Sequence, residues 1–549
     1  YFVQGLEMIE LDQLKDRYYE PGLLAKIIGY HDEEISINPE ELPERVKLYP
    51  EIEALVIMDT LEVKLIPRDG GVGKVRVAVN GKEIADDVLG ANGVRGTVRT
   101  EDGKAVYLTV PLKNHPYLVP GNENEISVYA YEEENWLKSR PVICTYRTEP
   151  VDTERIPAVY IIAAGISDYT GNTIDLRFAA KDAEDIAYAL SLGAKKLFGT
   201  DKTEVRLLTA GQEESGYGFQ NREPTKENIR KSIEQIAEKA KSTDILIIYL
   251  SGHGISYGSD PGDFYYLTKE AKSARSSSYS DPVIRRNASL SSTELMELVK
   301  QVPANRQVLI IDTCASGRMV DNLLADRDIS SSTVRALDRM KDRTGMFILT
   351  GSAADAVSYE ASSFGQGILT YSLLEGIKGA ALRDNSYIDV MTLFTRAQER
   401  VPQLAEHLGG IQRPEVFAQN RLGSFDIGMV TPEEQEKVPL AQPRPVFIQS
   451  NFQDEYLPRD LIDLGKYVDE ELKRRSEQGR SSDCVFVPVR EYPHAYSVGG
   501  RYERTDEGIT LKARLFEGDN PVETFTITAK NAKTLAYQVV ERALRTAND

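Results

Sequence analysis

The spacing of apolar positions changes character along this chain. From about residue 53 to 148 apolar and polar residues alternate. L-E-V-K-L-I, K-V-R-V-A-V-N-G-K, A-V-Y-L-T-V-P-L and E-I-S-V-Y-A-Y have the period of half-buried strands, and D-G-G, N-G and P-G-N-E-N separate them as turns. From about 155 to 430 the pattern becomes unbroken apolar runs of strand length alternating with helical periods. Residues 225–240 place Ile229, Ile233, Ile236 and Ala240 on one helical face, and Ser291 to Glu294 form a capping-box pattern before L-M-E-L-V. Strand–helix–strand order implies right-handed crossovers and a mainly parallel sheet. In the remainder, D-L-I-D-L-G-K-Y-V-D-E-E-L and T-L-A-Y-Q-V-V-E-R-A-L are helical patterns around the strand patterns C-V-F-V-P-V, Y-S-V-G-G-R-Y-E-R, I-T-L-K-A-R-L-F and E-T-F-T-I-T.

These shifts divide the chain. Residues 1–50 are expected to be a helical lead-in and linker, with Leu11, Leu14 and Tyr18 at helical spacing, Pro21 closing the helix, and Pro39, Pro43 and Pro50 in the polar stretch after it. Residues 51–150 are expected to be a small immunoglobulin-like β-sandwich. Residues 151–430 form the α/β unit, 431–445 a Pro- and Glu-rich linker, and 446–549 an α+β accessory or interaction domain. His494 stands alone in that last unit, without an acid–base partner, and is expected to be structural.

Two segments of the α/β unit share one shape. Residues 244–254 are D-I-L-I-I-Y-L-S-G-H-G and residues 307–317 are Q-V-L-I-I-D-T-C-A-S-G. Each is an apolar, β-branched run that stops at a small-residue turn. Side by side in a parallel sheet, their carboxyl ends bring His253 and Cys314 together, at the edge where open α/β sheets hold their sites. A protonated thiol is a poor nucleophile, and a neighbouring imidazole can take its proton. Taken singly, Cys314 reads as a small buried hydrophobe and His253 as a loop residue. The joint pattern, in a chain with 5 His and 3 Cys, points to a catalytic dyad. Gly252 and Gly254 beside His253, and Ser316–Gly317 beyond Cys314, are expected to let a substrate backbone approach.

Composition narrows the setting. The chain has 549 residues, 41% of them hydrophobic, a mean hydropathy of -0.36 and a formal charge of -19. The acidity argues against nucleic acid as a partner, suits basic peptides, and serves solubility in any case. No apolar run reaches the roughly 20 residues needed to span a bilayer, so no membrane partner is expected. Cys144, Cys314 and Cys484 lie far apart, with neither a disulfide framework nor a C-x-x-C metal spacing, which suits a working thiol in the cytoplasm. The chain begins at Tyr1 with no signal segment, and is expected to be a fragment or processed form.

S-G-H-G after one strand and D-T-C-A-S-G after another resemble the caspase-like cysteine peptidases, in the metacaspase and bacterial orthocaspase branch. The resemblance runs over about residues 155–430 and includes A-V-Y-I-I-A-A-G, D-A-E-D-I-A-Y-A-L and G-Q-G-I-L-T-Y-S-L-L-E-G. It departs from the animal caspase signature around the cysteine. The sandwich more weakly resembles the one that precedes the peptidase in some bacterial WD-repeat caspase-like proteins, with an upstream propeller or sensor that is not in this chain.

The resemblance implies a multidomain protein with an α/β caspase-like fold and a cysteine endopeptidase activity. Cys314 would be the nucleophile and His253 the base, with the backbone N–H groups of Cys314 and Gly254 as oxyanion donors. No third, orienting residue is evident. The resemblance also implies that Asp312, two before the cysteine, and Asp182, in K-D-A at the first helix, line the pocket for the residue before the scissile bond. Two carboxylates there suit Arg or Lys in a protein or peptide substrate. Arg318, Arg327, Arg335, Arg339, Lys341 and Arg343 lie in a segment where related enzymes are cut, so Arg327, Arg335 and Arg339 are candidate self-cleavage positions; the same segment also suits a solvated helix of mixed charge. No cofactor and no metal site is expected, although calcium activates some metacaspases and Asp260, Asp263 and Asp281 could serve. Regulation by flanking domains or a regulatory protein is expected. The competing reading is a catalytically degenerate caspase-fold scaffold, which would need neither His253 nor Cys314.

Overall fold

The computed structural model describes the chain except residues 1, 5–6, 30–34, 36–45, 90–96, 102–104, 151–154, 212–214, 258–261, 316–329, 354–364, 408–411, 420–422, 442–443, 477–482, 491–494, 506–507 and 549, and gives Cys314 and Ala315 by backbone alone. Asp260, Ser316, Gly317, Arg318, Arg327 and His494 therefore lie outside the described residues.

Alternation between 51 and 147 produces two antiparallel four-stranded sheets. One orders Glu51–Ile57, Thr60–Ile66, Ala105–Pro111 and Thr97–Glu101; the other orders Val142–Arg147, Glu123–Ala130, Val75–Val79 and Lys82–Ala85. Leu61, Val63 and Leu65 from the first share a core with Val75, Val77, Ile126 and Val128 from the second. Asn80 and Gly81 both take positive φ, 51° and 79°, as the two-residue hairpin between paired Val79 and Lys82 requires.

The central unit is built on one sheet. Its strands are β1 (Val159–Ile166), β2 (Thr203–Ala210), β3 (Ile245–Tyr257), β4 (Asp263–Leu267), β5 (Arg306–Ala315), β6 (Phe347–Ala353) and β7 (Glu415–Phe417). The order β2-β1-β3-β5-β6 is parallel throughout, and β4 and β7 add antiparallel pairs to β3 and β6. The sheet is thus mixed, with a parallel centre. Helices α1 (Ala179–Phe198), α2 (Lys226–Ala237), α3 (Ser292–Gln301), α4 (Ser331–Thr344), α5 (Ile368–Glu375) and α6 (Val390–His407) accompany it, and large cores lie on both of its faces. That two-sided burial explains why β1, β3 and β5 are apolar at consecutive positions. Ser291 caps α3 through its hydroxyl, accepting from the Glu294 N–H, while the Glu294 carboxylate pairs with Lys226 at 2.6 Å.

Three expectations change. The lead-in is not one helix: Phe2–Gln4 and Glu7–Ile9 pair as a hairpin, and only short helical turns follow at 11–14, 15–18 and 23–27. So short a stretch before Pro21 cannot sustain a helix alone, and tertiary contacts decide its course. Lys15 pairs with Asp338 and Asp342 of α4, and the buried Glu20 pairs with Lys26 and Arg335. Second, 431–445 is not a free linker. Pro432–Lys437 is a helix, Val438 is in the core of the central unit, and Gln366 donates to the Pro439 carbonyl and accepts from the Ala441 N–H. Proteolysis should spare 431–441 as long as the central unit stays folded, and early cutting there would contradict this packing. Third, Arg335 and Arg339 sit inside α4 and are ion-paired with Glu20 and Asp263, not in the extended chain that a peptidase reads.

The last unit carries strands Tyr496–Thr505, Gly508–Glu517 and Asn520–Ala529 in antiparallel order, with helices Leu464–Ser476 and Ala532–Asn548 sharing their core. The sandwich is joined to the central unit by polar contacts. Lys82, 1% exposed, donates to the Val299 carbonyl at 3.1 Å and to that of Val302 at 2.5 Å, just past the end of α3, and Tyr117 donates to that of Lys300. Lys82→Ala should cost about 1 kcal/mol in lost hydrogen bonds, because Gln307 Nε2 still donates to the Val299 and Val302 carbonyls at 3.1 and 3.2 Å. Thermal unfolding that is unchanged in this variant would contradict that role.

Candidate active site

β3 and β5 run in register from Ile245 opposite Arg306 to Gly254 opposite Ala315. His253 and Cys314 are direct partners in this ladder, so strand spacing alone sets their backbones about 4.8 Å apart. Asp312 lies two positions earlier on β5, opposite Ser251 on one side and Gly351 on the other.

His253 is 4% exposed and held from several directions. Its backbone N–H donates to the Tyr169 hydroxyl at 2.9 Å, and its ring lies 5.2 Å from that of Tyr169. Nε2 is 2.7 Å from the Ile174 carbonyl oxygen. A carbonyl can only accept, so Nε2 carries the proton and the neutral ring keeps Nδ1 as its basic atom. Nδ1 is buried and has no hydrogen-bond partner among the described residues. Burial lowers the pKa of His253 below 6.5, against the opposing pull of the Ile174 carbonyl and Asp175. The imidazole is therefore neutral at pH 7 and able to accept a proton. The loop that supplies Ile174 is itself fixed: Tyr169 N–H donates to Asp175 at 2.8 Å, Gly171 N–H to the Ala271 carbonyl, and Leu176 N–H to that of Ser167.

The two predicted pocket carboxylates also meet. Asp182 sits in the first turn of α1, where the helix dipole favours an acid, and is 2% exposed. Its Oδ2 accepts from the Gly367 N–H at 3.0 Å, and its Oδ1 is buried without a partner among the described residues. Asp312 Oδ2 accepts from the Thr370 hydroxyl at 2.8 Å and from the Tyr249 hydroxyl at 3.2 Å. Burial and then the charge of Asp312 raise the Asp182 pKa well above its ordinary value. Burial raises that of Asp312, partly offset by Thr370 and Tyr249. Two desolvated carboxylates, one with an oxygen unmatched among the described residues, are opposed by the nearby Lys181, which is itself paired with Asp185.

The glycines beside His253 serve the protein's own packing. Gly252 has φ +151°, and a Cβ there would stand 2.6 Å from the Tyr169 hydroxyl; one on Gly254 would stand 2.5 Å from the Phe264 ring. They admit neighbouring side chains, where the sequence suggested room for substrate. The candidate calcium ligands have structural duties: Asp263 accepts from Ser292 and Thr293, and Asp281 caps a helix. No cluster of three metal-ligating side chains occurs among the described residues. Sequence reasoning missed Ile174, Tyr169, Tyr249 and Thr370. Thr370 and Gly367 lie in the quoted run G-Q-G-I-L-T-Y-S, but nothing in that run signals a hydroxyl aimed at Asp312.

Residues 160–425 match the family model of the caspase domain. This region is a caspase domain. Its curated relatives are metacaspases of Arabidopsis thaliana. Metacaspase-6 is 25% identical over 173 residues, 31% of this chain and 41% of the relative. Metacaspase-7 is 27% identical over 119 residues, 21% and 27% of the two chains, and Metacaspase-4 is 24% identical over 168 residues, 30% and 35%. The chain spans less than half the length of the curated relatives it matches. Within the caspase domain the matched region holds His253, Cys314, Asp182 and Asp312. No helix among the described residues is long and apolar enough to cross a membrane.

Proposed function

We propose that this chain is a cysteine endopeptidase that cleaves after Arg or Lys. The observation that carries the reading is the ladder pairing of Cys314 with a histidine whose Nδ1 is basic, buried and unpartnered among the described residues. His253 Nδ1 takes the thiol proton. The Cys314 thiolate attacks the scissile carbonyl, and the proton passes to the leaving amine. Water then hydrolyses the thioester by the reverse sequence. The oxyanion is met by the backbone N–H groups of Cys314 and Gly254, the assignment implied by the family resemblance. The Ile174 carbonyl fixes the ring and favours its imidazolium form during the transfer. Asp182 and Asp312 supply the negative charge that a guanidinium or ammonium would neutralise. The substrate is thus a protein or peptide with a basic residue before the cut.

A peptide library profiled by mass spectrometry, with Cys314→Ala as control, tests the reading. Cuts after Arg and Lys in the parent alone are expected. Cuts after Asp, or equal cutting by the control, would refute it.

The carboxylate pair gives this specificity a pH signature. A cation binds the ionised pocket, so it must displace the proton that the raised pKa retains. KM for an Arg substrate should therefore rise as pH falls through that raised pKa, while KM for a neutral-residue ester stays flat. For both substrates kcat should fall below pH 6.5, once His253 protonates. Parallel KM profiles for the two substrates would remove the carboxylates from recognition.

A further inference from the structure

The same pocket contains a glycine with no conformational reason to be one. Gly367 precedes α5 with φ -58° and ψ 144°, a backbone that any residue adopts. It is the N-cap of that helix, where Ser, Thr, Asn or Asp would add a hydrogen bond that glycine cannot. Yet a Cβ on residue 367 would stand 2.8 Å from Asp182 Oδ2 and 3.2 Å from Asp312 Oδ2. It would enter the space that both carboxylates border. The neighbouring backbone is firmly held: Gln366 is fully buried and donates to Asp185 and to the Pro439 carbonyl, and the Gly367 N–H is bound to Asp182. Residue 367 therefore cannot swing aside to make room for a methyl group.

We infer that Gly367 is a specificity-determining residue: the missing side chain leaves the gap between Asp182 and Asp312 open to the cationic head of the substrate. The inference rests on the basic-residue reading above and extends it to a position that carries no charge. A planar guanidinium needs more of this gap than an ammonium does, so Arg substrates depend on the glycine more than Lys substrates do. The side chain of residue 367 sets the size of the cation admitted, and the aspartates set its sign.

The test is Gly367→Ala. Its kcat/KM for an Arg peptide should fall roughly 100-fold, as for a displacement of about 1 Å at a reacting centre. The loss for the matching Lys peptide should be smaller. Alkylation of Cys314 by iodoacetamide, a small neutral reagent, should stay at the parent rate, while the melting temperature should fall only modestly as the crowded carboxylates give way. An Arg-to-Lys ratio equal to the parent's would overturn the inference while leaving the basic-residue reading intact. A parent enzyme with no preference for basic residues would overturn both. If the variant does not fold, the parent carries the test. Agmatine, a free guanidinium probe, should slow amide exchange in the peptide spanning residues 365–371 and compete with Arg substrates. Competition without that protection would place the cation elsewhere and overturn the role of Gly367.

Discussion

Cys314→Ala should abolish peptide hydrolysis and leave the melting temperature unchanged. The nucleophile is one sulfur, and its removal takes the covalent step with it, a loss of about 10⁴-fold or more in kcat. The strand that carries it is anchored by the parallel ladders to β3 and β6, which an alanine at 314 keeps. Neither other cysteine can take over. Burial raises the Cys144 thiol pKa, and the Cys484 thiol is pushed up to about 12 by burial and then by Asp483. His253→Ala should lose roughly 10²–10⁴-fold, the ordinary worth of a positioned base. The measurement is kcat/KM on one Arg peptide beside a thermal melt. Parent-level hydrolysis by a folded Cys314→Ala protein would remove the nucleophile assignment.

Asp312→Asn and Asp182→Asn should each lower kcat/KM for Arg and Lys substrates by about 2–5 kcal/mol, the range for a desolvated charge pair that loses one partner. Both substitutions keep size and shape. In Asp182→Asn the side-chain oxygen can still accept from the Gly367 N–H, but the new amide presents N–H donors where a cation would sit. Burial and then the charge of Asp312 raise the pKa of Asp182, so Asp312→Asn should also lower the pKa of Asp182. The pH dependence of KM should move down accordingly. Iodoacetamide alkylation of Cys314 should be nearly unaffected, because that reagent does not use the pocket. Basic selectivity that survives both substitutions would refute the pocket.

Much of this was legible in the chain. Two apolar runs of equal shape end in Gly-His-Gly and Thr-Cys-Ala, and equal runs on neighbouring parallel strands leave little freedom of register. The buried strands were visible because both of their faces are covered. Other features left no sequence trace. The Ile174 carbonyl that orients His253 is a backbone group, and any residue could supply it. Thr370 and Tyr249 reach Asp312 only because α5 lies over the sheet face that Tyr249 of β3 and Asp312 of the neighbouring β5 share. The N-terminal stretch has helical spacing, but ion pairs to α4 set its path. The Pro- and Glu-rich stretch at 431–445 has the composition of a linker, yet Val438 is 3% exposed in the core, and one buried apolar side chain there outweighs its polar neighbours. The glycines around His253 were visible, but their purpose was not. Only the structure places the Tyr169 hydroxyl and the Phe264 ring where their side chains would be.

The central claim joins a nucleophile at Cys314 to an acidic pocket beside it, and one labelling measurement tests both. The protein is treated with a peptidyl-arginine chloromethyl ketone or its aspartate counterpart, digested, and read by mass spectrometry. The account predicts a single adduct, on Cys314, from the arginine reagent, and none from the aspartate reagent. An adduct on Cys144 or Cys484 in place of Cys314, or equal labelling by the two reagents, would contradict it.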